Sequence, residues 1–176
     1  WNVHEEAFFK DSKFAEVVSL IKPRISYGLN GNVNGIGNFD VYGKYGSVGA
    51  YNGNLGYLNT GVVNSKLRWE KSHTFELGLD LGFFNNRVHM IMDYYNRTTS
   101  DLLTDVNLPE YTGFPSFKTN LGTISNRGFE LEAKVNLLTK KDWSWDVTAN
   151  TSFVKNMVKK LPFNGNANNR QGGEQI

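Results

Sequence analysis

The sequence predicts an all-β chain, an antiparallel meander of long strands, on three observations. Apolar and polar residues alternate on both sides of a short polar turn at residues 74–97, and the arrangement recurs at 127–154. A supply of 18 Gly and 14% aromatics, many Asn and only 4 Pro suits strands joined by tight turns and polar loops. The alternating segments also run longer than ordinary globular strands.

Composition narrows the function classes. A net charge of +2 leaves no polyanion footprint, so nucleic acid is not an expected partner. Zero Cys removes disulfides, thiolate metal sites and cysteine nucleophiles. Three histidines, at His4, His73 and His89, are too scattered for a His-rich metal site, and no cofactor is expected. Mean hydropathy is −0.44 and no run of 18 apolar residues occurs, so no membrane helix is predicted. A barrel strand meets lipid at every second residue, so this does not exclude a membrane. The chain begins at Trp1 without Met or a signal-peptide core, which reads as a fragment or a processed chain.

Taken in order, residues 4–21 are the one stretch with helical spacing, through Phe8, Phe9, Phe14, Val17, Val18 and Ile21. The spacing predicts a short surface helix ending near Lys22, before Pro23. From Arg24 the period becomes two: Ile25, Tyr27 and Leu29 form one apolar strand face. Residues 30–66 read as a long Gly/Asn-rich loop tract with one alternating piece, Phe39, Val41, Gly43 and Tyr45. Gly31, Gly35 and Gly37 do not make G-x-G-x-x-G, and no lysine follows to build a phosphate loop.

The clearest element follows. Phe75, Leu77, Leu79, Leu81 and Phe83 alternate with Thr74, Glu76, Gly78, Asp80 and Gly82. Asn85-Asn86 tolerates the positive φ of a two-residue hairpin turn. Beyond it, Val88, Met90, Met92 and Tyr94 alternate with His89, Ile91, Asp93 and Tyr95. Counting outward from Phe84 opposite Arg87 pairs Leu81 with Met90 and Leu79 with Met92, so every apolar residue meets an apolar partner.

Residues 127–154 repeat this build. Phe129, Leu131, Ala133, Val135 and Leu137 alternate with Glu130, Glu132, Lys134 and Asn136. After the turn Thr139–Asp142 come Trp143, Trp145, Val147, Ala149 and Phe153. Pairing Leu137 with Trp143 sets Lys134 opposite Asp146, a favourable cross-strand pair.

Strands of about 10–12 residues exceed the globular mode of about 5–6 and match the about 9–11 needed to cross a membrane at a tilt. Short connections at 85–86 and 138–142 against long ones at 30–71 and 98–126 are the habit of outer-membrane barrels. Phe83, Phe84, Trp143 and Trp145 gather at the short-turn end, where an aromatic girdle or the capped edge of a core would sit. A soluble sandwich with long strands satisfies the same pattern.

The stretch KLRWEKSHTFELGLDLGFFNNRVHMIMDYYNRTTSDLL, residues 66–103, resembles the C-terminal barrel region of SusC/RagA-type TonB-dependent outer-membrane transporters of Bacteroidetes. Those proteins carry a comparable L-x-W-E run, a G-L-D strand, an Asn-rich turn followed by Arg, and D-Y-Y before a loop. Further matches are PRISYGLNGN at 23–32, Leu108-Pro109, Thr112-Gly113-Phe114, NLGTISNRGFELE at 120–132 and WSWDVTANTSFVKNMVKKL at 143–161. Each motif is weak alone; their order over 1–161 is specific.

The resemblance implies a segment of a large transmembrane β-barrel. Residues 1–161 would be partial barrel without the plug domain of longer family members, and 162–176 a loop or unassigned tail. Four or five strands cannot close a barrel, for which about eight is the minimum. The implied function is TonB-driven import of bulky nutrients, oligosaccharide or oligopeptide, with a SusD-like surface lipoprotein and a TonB complex acting through the plug. Phe75, Leu77, Leu79, Leu81, Phe83, Val88, Met90, Met92, Tyr94, Phe129, Leu131, Val135, Trp143, Trp145 and Val147 would face outer-membrane lipid. Glu76, Asp80, His89, Asp93, Glu130, Glu132, Lys134 and Asp146 would face the lumen. Loops 30–71 and 98–126 would be extracellular, and the substrate-binding residues are not assigned.

Catalysis is not expected. Glu130/Glu132 and Glu76/Asp80 are paired carboxylates, but polar-face charges are the ordinary content of such strands. His89 and Asp93, four apart on a strand, are separated by about 13 Å. No nucleophile elbow of the G-x-S-x-G kind occurs. Tyr111, Phe114 and Phe117, near Asn107 and Asn120, are read as anchors of a loop to the barrel rim, with stacking on sugar rings the less favoured role. The alternative function is a soluble antiparallel β-domain that binds carbohydrate or acts as an adhesin.

Overall fold

A computed structural model describes residues 1–161. The reading of 162–176 as a tail falls outside the described residues. Seven strands are described: β1 (Val18–Asn32), β2 (Tyr45–Tyr51), β3 (Asn54–Asn59), β4 (Glu70–Phe83), β5 (Val88–Asn107), β6 (Ser116–Thr139) and β7 (Ser144–Lys160). One five-stranded sheet has the order β1-β4-β5-β6-β7, and β2-β3 form a separate two-stranded sheet. The all-β antiparallel meander predicted from alternation is what the chain builds.

The first hairpin follows the predicted register. Asn85 and Asn86 have φ of 56° and 62°, and the Phe84 carbonyl accepts from the Arg87 N–H at 3.2 Å. This is the left-handed geometry that matches strand twist in a two-residue turn. The count outward holds for a dozen residues. Ser72 and Thr99 hydroxyls lie 2.8 Å apart, and Arg97 Nε donates to Thr74 Oγ1 at 3.2 Å.

Four expectations are corrected. The helix over 4–21 is reduced to α1 (Ala7–Lys10) between two 3-10 turns, Val3–Glu5 and Lys13–Glu16, none with a side-chain N-cap. The β-branched run that begins at Val17 joins the sheet instead, its carbonyl accepting from Phe84 N–H at 2.8 Å. Pro23 therefore lies inside β1, at one end of the strand order, where a missing N–H is tolerated.

The Gly/Asn tract is not all loop. Asn52 and Gly53, with φ of 49° and 79°, close the β2-β3 hairpin, and Asn-Gly is the strongest short-range hairpin signal in the tract. The alternating piece at 39–45 is no strand: turns run to Tyr42, whose N–H donates to Phe39 O at 3.0 Å, and only Tyr45 joins β2.

The long loop at 98–126 shrinks to 108–115, because β5 and β6 reach 20 and 24 residues. Its polar Thr and Ser residues occupy ladder positions, as the Ser72–Thr99 contact illustrates. A 3-10 turn, Glu110–Thr112, ends at Gly113 with φ of 77°, and Leu108 N–H donates to Pro115 O at 3.0 Å.

The fourth correction concerns the second hairpin. Lys140 and Trp143 bond each other's main chain at 2.7 and 3.4 Å, tightening the turn to Lys141-Asp142. Asp146 then accepts from Asn136 Nδ2 at 2.8 Å, and no Lys134–Asp146 ion pair is present among the described residues.

The chain divides into two compact units: Trp1–Gly28, His73–Arg97 and Ser125–Met157 in the first, Leu29–Ser72, Thr98–Ile124 and Val158–Ile176 in the second. The first holds both short turns; the second holds β2-β3 and the 108–115 connection. Phe9 is the one buried apolar residue among those described, beside buried polar Thr74 and Ser125. No described helix is long and apolar enough to cross a membrane.

Candidate functional site

In the first unit, Arg24 organises the polar face. It stands at a polar position of β1, so its guanidinium reaches sideways over β4. Arg24 Nε and Nη2 donate to Asp80 Oδ1 at 3.1 and 2.9 Å, and Nη2 also donates to Asp93 Oδ1 at 2.9 Å. Three neighbouring strands are thus tied by one side chain. The bridge requires Gly78: a β-carbon there would fall 2.6 Å from Asp93 Oδ1 and 2.7 Å from Arg24 Cζ. One turn of the pleat away, Ser26 Oγ donates to Glu76 Oε2 at 3.0 Å.

A second glycine notch lies at Gly128 on β6, where the Tyr95 ring covers the bare backbone; a β-carbon would meet Tyr95 Cζ and Oη at 2.6 Å. Around it, Glu76, Asp93 and Glu130 line a cavity of about 620 Å³ with Arg24 and Arg97. Asp93, Glu130 and Glu132 line a further cavity of about 330 Å³.

The structure therefore gathers Glu76, Asp93, Glu130 and Glu132 around these two cavities, joins Asp80 to them through Arg24, and leaves His89 outside both. Asp146 is held by Asn136, and Lys134 stands exposed. No group of three or more His, Asp or Glu suited to a metal occurs among the described residues. Sequence reasoning missed Arg24, Gly78, Tyr95 and Gly128 as a set. The available signal was a glycine on a polar face flanked by bulky charged or aromatic neighbours.

On the other strand positions stand the apolar residues, largely uncovered. Ile25, Tyr27 and Leu29 of β1 are 62–73% exposed, and Leu77, Tyr94, Phe129, Trp145 and Val147 are all exposed. Trp143 and Phe84 project from the two short turns.

The second unit carries a polar clamp. Asn120 Nδ2 donates to the carbonyls of Arg68 and Asp101 at 2.6 and 2.7 Å, while its Oδ1 accepts from Arg68 N–H at 2.9 Å. Asp101 sits at φ 58° within β5, a left-handed position that Asp tolerates, and takes a 2.7 Å bond from Arg68 Nη2. The Arg68 guanidinium, with Lys71 3.7 Å away, holds the Asp101 carboxyl below the usual carboxylate range against partial desolvation. Asp40 is lowered likewise by Lys44 at 2.6 Å and by the Gly37 N–H.

Residues 17–175 match the family model described as TonB dependent receptor-like, beta-barrel. The chain belongs to the TonB-dependent receptor β-barrel family. It is 38% identical over 165 residues to TonB-dependent receptor P3 of Formosa agariphila, covering 92% of this chain and 16% of that protein. It is 34% identical to TonB-dependent receptor SusC of Bacteroides thetaiotaomicron, again over 92% and 16%. The structure of the RagAB peptide transporter superposes with a TM-score of 0.79 at 32% identity, covering 93% of this chain and 18% of that one. The same importer in its 'open-open' state gives 0.81. The SusC/RagA resemblance is therefore real, and the family is one of the outer membrane. The chain spans about a sixth of its curated relatives' length.

Proposed function

We propose that this chain is a wall segment of an outer-membrane TonB-dependent transporter that imports bulky nutrients, oligosaccharide or oligopeptide. The observation that carries this reading is a single-layer sheet with one apolar and one polar side and the apolar side uncovered. In water such a face exposes far more apolar surface than a soluble monomer tolerates; in a bilayer, lipid covers it. Phe75, Leu77, Leu79, Leu81, Phe83, Val88, Met90, Met92, Tyr94, Phe129, Leu131, Val135, Trp143, Trp145 and Val147 then face lipid. Phe84 joins Phe83, Trp143 and Trp145 in an interfacial girdle at the short-turn end. Glu76, Asp80, His89, Asp93, Glu130, Glu132, Lys134 and Asp146 face the lumen, where the Arg24 bridge stiffens the wall.

Residues 1–161 are then partial barrel. Substrate capture by a SusD-like lipoprotein and energy from a TonB complex complete the cycle, and the segment itself has no catalytic role. A soluble β-domain would need a second layer over the apolar face, whereas Ile25, Tyr27, Leu29, Leu77 and Trp145 stand exposed.

The test is cysteine scanning of residues 74–83 in the full-length transporter in vesicles, since these 176 residues contain no Cys. Lipid-phase labelling should mark odd positions and spare even ones. Equal labelling of both sets would refute the wall reading.

A further inference from the structure

The β2-β3 hairpin and the cavity at its base remain unused by the wall reading. Residues 45–59 contain no charged side chain, but three tyrosines, and all three are strongly exposed: Tyr45 74%, Tyr51 87% and Tyr57 60%. Their placement is ordered. Tyr45 pairs with Asn59 and Ser47 with Tyr57, so Tyr45 and Tyr57 share one face of the hairpin as diagonal neighbours. Asn59 and Ser47 place an amide and a hydroxyl between the rings. The Asn59 Oδ1 is taken by Gly61 N–H at 3.1 Å, which ties down the amide. At the base, Thr60 N–H and Oγ1 both donate to Lys44 O, at 2.8 and 3.0 Å.

That closing pair, Lys44 and Thr60, also lines a cavity of about 260 Å³ with Asp40, Asp105, Phe114 and Lys118. Two of its four charged side chains are paired with each other and a third is tied to the main chain. Lys44 is 2.6 Å from Asp40, and Lys118 Nζ donates to Gly35 O at 2.8 Å. The two acidic and two basic side chains of the lining balance in sum, and what they leave for a ligand is directional hydrogen bonding: acceptor lone pairs on Thr60 Oγ1 and Asp40, and the Asp105 carboxylate. One aromatic side chain, Phe114, lies beside them. The volume is below the range for drug-sized ligands and suits one ring.

We infer that the hairpin and the cavity at its base form a binding site for a neutral oligosaccharide, with one sugar ring in the cavity and the next residues of the glycan on Tyr45 and Tyr57. A pyranose offers both complements at once: C–H faces for the negative π-faces of tyrosine, and hydroxyls for Asp105, Asp40 and Thr60. A charged peptide would bring fixed charges to the uncharged face of residues 45–59, which has no side chain to pair with them. The inference rests on the transporter reading and narrows its substrate to the glycan class.

The experiment uses the full-length transporter purified in detergent, with calorimetric titration of neutral heptasaccharides (α-1,4-glucan, β-1,4-glucan and β-1,4-mannan) and an uncharged heptapeptide. At least one glycan should bind, and both the Tyr45→Ala/Tyr57→Ala variant and Asp105→Ala should weaken it tenfold or more. Heat-modifiable gel mobility verifies that each variant barrel is folded. Unchanged affinity in both variants, no glycan binding at all, or variant-sensitive binding of the peptide would overturn the inference. Failure of the wall reading is read separately, from the labelling of residues 74–83, which these variants do not touch.

Discussion

Asn120 grips the main chain of Arg68 from both sides, its Nδ2 donating to the Arg68 carbonyl at 2.6 Å and its Oδ1 accepting from the Arg68 N–H at 2.9 Å. One side chain thus imitates a strand partner, and its second amide proton holds the Asp101 carbonyl at 2.7 Å. Every polar atom of Asn120 is committed, so a role for it in sugar binding is not available. Asn120→Ala should leave three backbone groups to water and cost about 1–3 kcal/mol locally. Faster amide exchange confined to residues 66–70 and 101–103 would show it; unchanged exchange there would refute the clamp.

Acid should release the same region. Asp101 lies in the second unit, outside the segments proposed to span the membrane, and its folded pKa is lowered chiefly by the Arg68 hydrogen bond. A lowered carboxylate pKa adds stability that is full above the unfolded value of about 3.9 and fades as pH falls through the lower folded value. The neighbouring Trp69, 55% exposed and 3.8 Å from where a Gly31 β-carbon would lie, reports on it. In a background with the other tryptophans replaced by Phe, Trp69 fluorescence should change below about pH 4. Asp101→Asn should abolish the step.

The glycine notch makes a different prediction. Gly128→Ala places a methyl group into the Tyr95 ring, which must move or leave its position; overpacking of this kind costs about 1–3 kcal/mol. Tyr95→Ala/Gly128→Ala should regain most of that loss, giving a coupling energy well above zero in a double-mutant cycle of urea-induced unfolding in micelles. Additive losses would show that the ring and the glycine are independent.

These pairings mark how far the sequence was legible. The 74–97 hairpin was read to the residue because the turn chemistry of Asn85-Asn86 and two alternations gave the same register. The second hairpin was read as two alternating strands but not in its pairing, since the polar run Thr139–Asp142 allows more than one closure. The helix over 4–21 failed because apolar spacing near Phe8 and Phe9 outweighed the β-branched run at Val17-Val18, which pairs across the sheet. The ends of β5 and β6 were hidden because their polar Thr, Ser and Asp residues look like loop when ladder contacts are not visible. Arg24 was placed on the correct face, but its reach to two other strands depends on Gly78, a relation between distant positions that periodicity does not encode.

The two sides of the sheet should differ most sharply in their tolerance of charge. Leu79 lies on β4 between Leu77 and Leu81, in the middle of the stretch proposed to meet lipid. Leu79→Arg there should destabilise the folded barrel by about 2–4 kcal/mol, the cost of a basic residue near the bilayer midplane. Glu130→Arg, on the other side of the sheet and beside a water-accessible cavity, should cost well under half as much. Arg24 and Arg97 also line that cavity, so part of its cost is like-charge repulsion, which added salt should reduce. The Leu79 penalty comes from transfer into hydrocarbon and should not respond to salt. Equilibrium urea titrations of the full-length protein in vesicles, at low and high ionic strength, separate the two. Equal penalties for both variants, or a salt-sensitive Leu79→Arg, would mean that the odd positions of β4 do not meet lipid.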